Sequence, residues 1–167
     1  MKPTIYLDID ETLVYSRSPL PDSILWQSKQ WGSCYTIARP SSYDFIKELS
    51  KDYRIASVTQ GVVGFQKEVL EKVGLLGYFE DIYGWGDIYR STVLYPTQEE
   101  HWLLVDNMYA QDLYEKAKWL GVHMLVEDQF IHCDPFYGHE DNIKTLTDLL
   151  PEVHEKIGRQ LENNKSS

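Results

Sequence analysis

Cysteine, positive charge and long apolar runs are all scarce in this sequence of 167 residues. The two cysteines, Cys34 and Cys133, lie far apart, and Asp8 and Asp10 interrupt the N-terminal apolar run, so no secretory signal is expected. No stretch approaches the roughly 20 apolar residues that a membrane-spanning helix needs. We therefore expect reduced thiols and a cytoplasmic protein that does not engage a membrane.

The shortage of positive charge also restricts the possible partners. Lys and Arg total 16 against 26 Asp and Glu, which gives a formal net charge of -10. The molecule as a whole should repel nucleic acids and anionic membrane surfaces, and it has no run of basic residues that could follow a phosphate backbone. A phosphate-bearing substrate would therefore have to be attracted by groups at one local site.

The apolar content, 43% of residues, is enough for one well-filled core. Four apolar runs have the character of buried parallel strands, at residues 4–7, 54–58, 102–105 and 122–126. Amphipathic helical patterns lie between them, at residues 41–50 (with Ser41 or Ser42 as its cap), 62–74 and 109–121. This alternation predicts an α/β domain built on a parallel sheet.

Polar side chains stand directly after three of the predicted strands. Asp8 follows the first strand, Thr59 follows the second, and Asp106 with Asn107 follows the third. Because ligands of parallel sheets bind outside the carboxyl ends of the strands, we expect these residues to share one rim.

Asp8 and Asp10 are the strongest candidates for chemistry. In an extended Asp8-Ile9-Asp10 segment the two carboxylates point the same way, so one can attack a phosphorus atom while the other handles a proton. Two plainer interpretations also exist, in which the acids cap a following helix or form an acidic surface turn.

Four segments together resemble a known family: YLDIDETLVYS (6–16), YTIARPSSYDFIKEL (35–49), WLLVDN (102–107) and FYGHEDNIKTLTDLLPEV (136–153). They resemble the haloacid dehalogenase (HAD) superfamily of phosphohydrolases. Within it they are similar to the FCP/SCP type, also called NLI-interacting-factor-like, which acts on the RNA polymerase II C-terminal domain. The resemblance implies a HAD-like Rossmannoid fold, a three-layer parallel sheet with helices on both faces, a small β-flap and no large cap domain.

The same resemblance implies roles for the acidic residues. Asp8 would be the nucleophile that forms an aspartyl-phosphate, and Asp10 the general acid that then activates water. The Asp8 carboxylate, the Asp10 backbone carbonyl, Asp106 and Asn107 would hold Mg²⁺, a cation that prefers oxygen ligands.

Phosphate binding is implied for Thr59 and for backbone N–H groups near Gln60 and Gly61. The family also places a lysine upstream of the Asp-Asn strand, but residues 73–106 contain no lysine. Arg90 stands at about the expected spacing, and its guanidinium suits phosphate, so the role is assigned to Arg90. Two plainer interpretations remain open: Thr59 as a strand end or helix cap, and Arg90 as a solvated surface side chain.

We expect one phosphatase domain over residues 1–162, with a flap at about 14–38 and a disordered tail at 163–167. Without a cap, the site would admit a phosphorylated macromolecule, and a phosphoserine or phosphothreonine protein segment is favoured. A nucleotide or polynucleotide end is the alternative substrate, and a catalytically weak binding module is the alternative function. The sequence does not indicate the oligomeric state.

Overall fold

A computed structural model describes residues 2–85, 101–139 and 144–165. Eight strands occur in these ranges: β1 Thr4–Leu7, β2 Val14–Tyr15, β3 Ile24–Ser28, β4 Gly32–Ala38, β5 Arg54–Val62, β6 Asp81–Trp85, β7 Trp102–Asp106 and β8 Phe130–His132. The four α-helices are α1 Ser42–Asp52, α2 Val63–Lys72, α3 Tyr114–Trp119 and α4 Leu150–Lys165.

Five parallel strands form the central sheet, in the order β6-β5-β1-β7-β8. β1 lies in the middle, where Leu7 is level with Ser57 of β5 and with Val105 of β7. The residues that follow β1 and β7 therefore emerge side by side. The predicted α/β class with a parallel sheet is confirmed.

Alternate residues of β1 enter two separate apolar layers, which is the packing expected of a strand buried on both faces. Ile5 and Leu7 pack in a cluster with apolar side chains of α1, α2 and α4. Tyr6 points to the opposite face, in a cluster with Leu113, Ala117 and Leu120 around α3. The sheet is thus the middle of three layers, with helices on both faces as predicted.

The helix predicted at residues 41–50 forms, but its serines do not cap it. Ser41 precedes α1, and its hydroxyl accepts a hydrogen bond from the Leu146 amide at 3.0 Å. The Ser42 hydroxyl donates to the Leu13 carbonyl at 3.0 Å. Both serines join α1 to distant chain segments instead of closing its own first turn.

The strand predicted at residues 122–126 does not form. Gly121 ends the α3 segment in the left-handed region at φ 79°, and the Val122 amide returns to the Ala117 carbonyl. Met124 and Val126 are exposed, and Leu125 alone of these three enters the core. The fifth strand is β8, which begins at Phe130 beside Leu104 of β7.

The predicted flap is a three-stranded antiparallel sheet in the order β2-β4-β3. Trp26 of β3 stacks on Phe65 of α2 with ring centroids 5.8 Å apart. The Ser28 hydroxyl donates to Glu68 of α2 at 2.7 Å. These contacts fasten the flap to α2, and the described residues contain no larger domain above the sheet.

The C-terminal helix continues further than expected. α4 runs to Lys165, so helix extends three residues into the segment 163–167 that was predicted as a disordered tail. None of the helices within the described ranges combines the length and apolar character needed to cross a membrane.

Because residues 122–126 do not form a core strand, an apolar residue there should matter less for stability than one in β7. Leu104 is 0% exposed and Val126 is 53% exposed. We expect Leu104→Ala to lower the free energy of unfolding by about 2–5 kcal/mol, because it leaves a cavity, and Val126→Ala to change it by less than about 0.5 kcal/mol. Urea unfolding measures both. Equal losses would mean that Val126 lies in the core.

Candidate active site

The parallel register brings the predicted acidic residues together at one rim of the sheet. The Asp8 amide donates to the Val105 carbonyl at 3.0 Å, which places Asp8 beside Asp106. The two carboxylates come from neighbouring strands and are both buried, with Asp8 6% exposed and Asp106 0% exposed. Asn107 follows at the edge of the same rim and is half-buried.

A tight loop after β1 returns Thr12 to Asp8. Glu11 adopts φ 63°, a left-handed conformation that is uncommon for a residue with a side chain. The Leu13 amide bonds back to the Ile9 carbonyl at 2.9 Å, which closes the loop. The Thr12 hydroxyl then lies 3.0 Å from Asp8 Oδ2 and donates to it. The nucleophile candidate is therefore held by its own loop.

Lys116 supplies the positive charge at this rim. Its Nζ donates to Asp8 Oδ1 at 2.8 Å and to Asp106 Oδ2 at 2.6 Å, and its side chain is 2% exposed. It reaches the carboxylates from α3, on the far face of the sheet from α1 and α2. Sequence reasoning missed this residue because it looked for a lysine before Asp106.

A signal for Lys116 was nevertheless present in the sequence. Leu113, Ala117 and Leu120 form the buried stripe of the helical pattern, and Lys116 occupies the i+3 position of that stripe. A lysine within an apolar stripe must find a negative partner when the stripe is buried. Here that partner is a pair of carboxylates.

The charges of this cluster explain its pKa shifts. Burial alone would lower the pKa of Lys116, but the charges of Asp8 and Asp106 outweigh burial and raise it above its usual value. Burial, followed by the charge of Asp8, raises the pKa of Asp106 to about 6, although Lys116 opposes the shift. One ammonium cannot balance two buried carboxylates, so the cluster is short of positive charge.

Asp10 lies beside this cluster and is half-buried. Gln66 of α2 donates from Nε2 to Asp10 Oδ2 at 2.7 Å. Burial and then the negative charge of Asp8 raise the pKa of Asp10, while Gln66 and Arg17 act in the opposite direction. A carboxyl group with a raised pKa beside a buried carboxylate suits proton transfer.

The predicted phosphate-binding residues Thr59 and Gln60 lie near the end of β5. Thr59 is buried, and its hydroxyl accepts a hydrogen bond from the Gly61 amide at 3.1 Å. β5 continues through Val62, so α2 begins two residues after Gly61, and Gln60 is exposed. The role of these residues stays a prediction. Arg90 lies outside the described residues, so its assignment stays a prediction as well.

The side chain of Asn107 lies close to the carboxylate oxygens of Asp8 and Asp106. The inward atom of the Asn107 amide lies 2.9 Å from Asp8 Oδ2 and 3.3 Å from Asp106 Oδ1. If that atom is nitrogen, it donates to both carboxylates. If it is oxygen, three oxygens converge on a site that is short of positive charge.

This donor set fits a hard divalent cation. The possible ligand atoms of Asp8, Asp106 and Asn107 are all oxygens, which suits Mg²⁺ better than a soft metal, and the part of the Asp10 carbonyl stays a prediction. Within the described ranges no cluster of three or more His, Cys, Asp or Glu side chains could hold a metal ion. The candidate metal site in this part of the chain therefore rests on two carboxylates and an amide.

His132 supports the Asn107 loop from the next strand. Its Nε2 lies 3.1 Å from the Asn107 carbonyl, and the ring of Tyr109 stacks on the imidazole with centroids 4.3 Å apart. The sequence showed no role for this pair. Their contacts hold the loop after β7 against β8, which keeps the Asn107 side chain at the rim.

The sequence matches the model of one protein family, described as NLI interacting factor-like phosphatase, over residues 3–114. The chain belongs to this family. The match includes Asp8, Asp10, Asp106 and Asn107 and ends two residues before Lys116. The buried cation of the site thus lies outside the matched region. No curated protein sequence matches the chain.

Two solved structures of an RNA polymerase II CTD phosphatase share the fold of this chain. A variant of the fission yeast RNA polymerase II CTD phosphatase Fcp1, bound to beryllium fluoride, is 18% identical with a TM-score of 0.56, covering 95% of this chain and 51% of that one. Another Fcp1 structure is 20% identical with a TM-score of 0.55, covering 99% and 50%. This chain spans about half the length of either Fcp1 structure.

A haloacid dehalogenase-like hydrolase from Streptococcus pneumoniae also shares the fold. It is 14% identical with a TM-score of 0.50, and the match covers 90% of each chain. At these identities the likeness establishes the fold, and the predicted HAD-like architecture is confirmed.

Lys116 leads to a prediction about stability. Lys116→Met keeps a side chain of similar length but leaves two buried carboxylates without their cation, so the free energy of unfolding should fall by about 3–5 kcal/mol. Urea unfolding at neutral pH is the measurement. Lys118→Met, at an exposed position of the same helix, is the matched control and should be nearly neutral. Similar effects of the two variants would contradict the buried contact.

Proposed function

We propose that this protein is a Mg²⁺-dependent phosphatase that hydrolyses phosphate monoesters through an aspartyl-phosphate on Asp8. The observation that carries the proposal is the buried contact of Lys116 with Asp8 and Asp106, with Asp10 alongside. Membership of a phosphatase family supports the same reaction.

The reaction begins with attack by Asp8. One carboxylate oxygen forms a bond to phosphorus, the bond from phosphorus to the leaving oxygen breaks, and the proton of Asp10 passes to that oxygen. Lys116 and Thr12 hold the carboxylate in place at 2.8 and 3.0 Å. The positive charge of Lys116 also offsets the charge that the phosphoryl group brings to the site.

Hydrolysis of the acyl phosphate completes the cycle. Asp10, now ionised, takes a proton from water as the water oxygen attacks phosphorus, and the bond from phosphorus to Asp8 breaks. The products are inorganic phosphate and the original carboxylate. A bound Mg²⁺, held by Asp8, the Asp10 carbonyl, Asp106 and Asn107, would supply the positive charge that the cluster lacks.

Lys116 also bears on the alternative of a non-catalytic binding module. The argument for such a module was the absence of a lysine from residues 73–106. A buried lysine that contacts the nucleophile candidate removes that argument, because a cation is present from another part of the chain. We propose that Lys116 performs this role, while a phosphate contact by Arg90 remains a separate prediction.

A phosphorylated protein segment is the proposed substrate. The insertion between β1 and α1 is only a small sheet fastened to α2, and within the described ranges it is the sole insertion between these elements, which favours a bulky substrate. Fcp1 is described as an RNA polymerase II CTD phosphatase, which supports a phosphorylated protein as substrate, and we propose phosphoserine or phosphothreonine as the group that is hydrolysed. The net charge of -10 disfavours the alternative of a polynucleotide end.

The first test of this function is the hydrolysis of p-nitrophenyl phosphate. We expect turnover in Mg²⁺ that is lost in EDTA, and a fall of at least about 10³-fold in kcat for Asp8→Asn, which lacks the nucleophile. Asp44→Asn, at an exposed position on α1, is the matched control and should keep full activity. An inactive wild type across pH and metals would overturn the proposal.

The substrate class needs its own measurement. We expect kcat/KM for a phosphoserine peptide to exceed that for a 5′-phosphorylated oligonucleotide by at least about tenfold, because the acidic surface repels the second substrate. The gap should narrow as salt screens the repulsion. A preference for the oligonucleotide would replace the protein substrate with a polynucleotide end.

A further inference from the structure

Gln66 is a buried polar residue that contacts the proposed acid and base. It lies in the first turns of α2, is 1% exposed, and donates from Nε2 to Asp10 Oδ2 at 2.7 Å. This bond joins α2 to the loop after β1. Among the described residues, Gln66 is the side chain that donates a hydrogen bond to the Asp10 carboxyl group.

The amide of Gln66 fits against a glycine that leaves no room for a side chain. A Cβ atom placed on Gly61 would lie 2.2 Å from Gln66 Nε2 and 3.1 Å from its Cδ. The backbone of Gly61 does not have a positive φ. A side chain at position 61 would therefore displace the Gln66 amide, so the glycine is what allows Gln66 to reach Asp10.

The carbonyl oxygen of the Gln66 side chain contributes no hydrogen bond to the described structure. Gln66 Oε1 is buried and has no hydrogen-bond partner among the described residues. Such an atom costs about 1–3 kcal/mol. An apolar side chain at this position would avoid that cost but lose the bond to Asp10, so that bond is what a glutamine supplies here.

Glutamine does suit a carboxyl group that must exchange a proton. Its amide neither gains nor loses a proton near neutral pH, so it can hold Asp10 without competing for the proton. A lysine or arginine in its place would bring a full positive charge, favour the ionised carboxylate more strongly than the neutral Gln66 amide does, and oppose the use of Asp10 as an acid. The amide thus restricts the position of the carboxyl group and leaves its proton free to move.

We propose that Gln66 is a positioning residue that holds Asp10 for proton transfer, and that Gly61 makes this contact possible. The inference rests on the proposed phosphatase function. Gln66 acts in both steps of the reaction, because Asp10 gives its proton to the leaving oxygen in the first and takes one from water in the second.

Comparing substrates with good and poor leaving groups distinguishes a residue that positions Asp10 from one that only stabilises the fold. kcat/KM covers the steps up to transfer of phosphate to Asp8, and a poor leaving group depends on the proton from Asp10 more than a good one. For Gln66→Met we expect kcat/KM to fall about 10²-fold with phenyl phosphate and less than about threefold with p-nitrophenyl phosphate. The melting temperature should change little, because loss of the bond from Gln66 Nε2 to Asp10 and removal of the unpartnered Oε1 act in opposite directions.

The second step gives another measurement. If water activation by Asp10 is impaired, hydrolysis of the aspartyl-phosphate becomes slow. Stopped-flow mixing of Gln66→Met with p-nitrophenyl phosphate should then show a burst of about one p-nitrophenolate per enzyme. The same variant without a burst, and with equal losses on the two substrates, would overturn the inference.

Gly61→Ala tests the same contact from the opposite side and serves if Gln66→Met does not fold. The added methyl group displaces the Gln66 amide, so we expect the same selective loss with phenyl phosphate. Gly158→Ala is the matched control, because a Cβ on Gly158 in α4 meets nothing within 4 Å. It should leave both kcat/KM values unchanged.

The outcomes distinguish the two proposals. An inactive wild type overturns the phosphatase function and this inference together. An active wild type whose Gln66→Met and Gly61→Ala variants lose activity equally on both substrates, or lose none, overturns the role of Gln66 alone.

Discussion

The contact of Lys116 with Asp8 and Asp106 is the interaction on which the rest of the site depends. Two carboxylates lie side by side because parallel register places the ends of β1 and β7 next to each other. Without a buried ammonium between them, their repulsion and desolvation would oppose that arrangement. The charge that allows the rim to assemble is also the charge that a phosphoryl group would meet.

Around this cluster the chain restricts each acid separately. Thr12 fixes Asp8 through the tight loop that the left-handed Glu11 permits. Gln66 fixes Asp10 from α2, and His132 supports the loop that carries Asn107. The supports come from three different elements, so each acid can be held in its own environment. Two carboxyl groups of the same chemistry can then serve as nucleophile and as proton donor.

Much of this arrangement could be predicted from the sequence, because it depends on patterns that are local. The strand before Asp8, the strand before Asp106 and the stripe of the helix at 109–121 were all visible as periodic apolar residues. The run at 122–126 was misleading, because an apolar run does not reveal that Gly121 turns the chain and exposes Met124. Apolar content alone does not distinguish a strand from a connection.

The parts that could not be predicted involve contacts between distant segments. The family pattern describes order along the chain, so a cation was expected before Asp106 and the role was given to Arg90. Lys116 comes after Asp106 in sequence and meets the two carboxylates only in the folded structure. The sequence did not point to Gln66, because its partner Asp10 is 56 residues away along the chain. The Gln66 amide also occupies the space that a side chain on Gly61 would fill, and a sequence does not reveal such a contact. Buried polar residues inside apolar stripes are the signal that would have identified both.

The short length of α3 has a consequence for the order in which the protein folds. A helix of six residues is not stable by itself, so it forms as it docks through Leu113, Ala117 and Leu120. Lys116 is delivered by that docking step. If β1 paired with β7 before α3 docked, two negative charges would meet at neutral pH without their counter-charge. Closure of the sheet and docking of α3 should therefore be one cooperative event, and local opening of α3 should loosen the catalytic rim first.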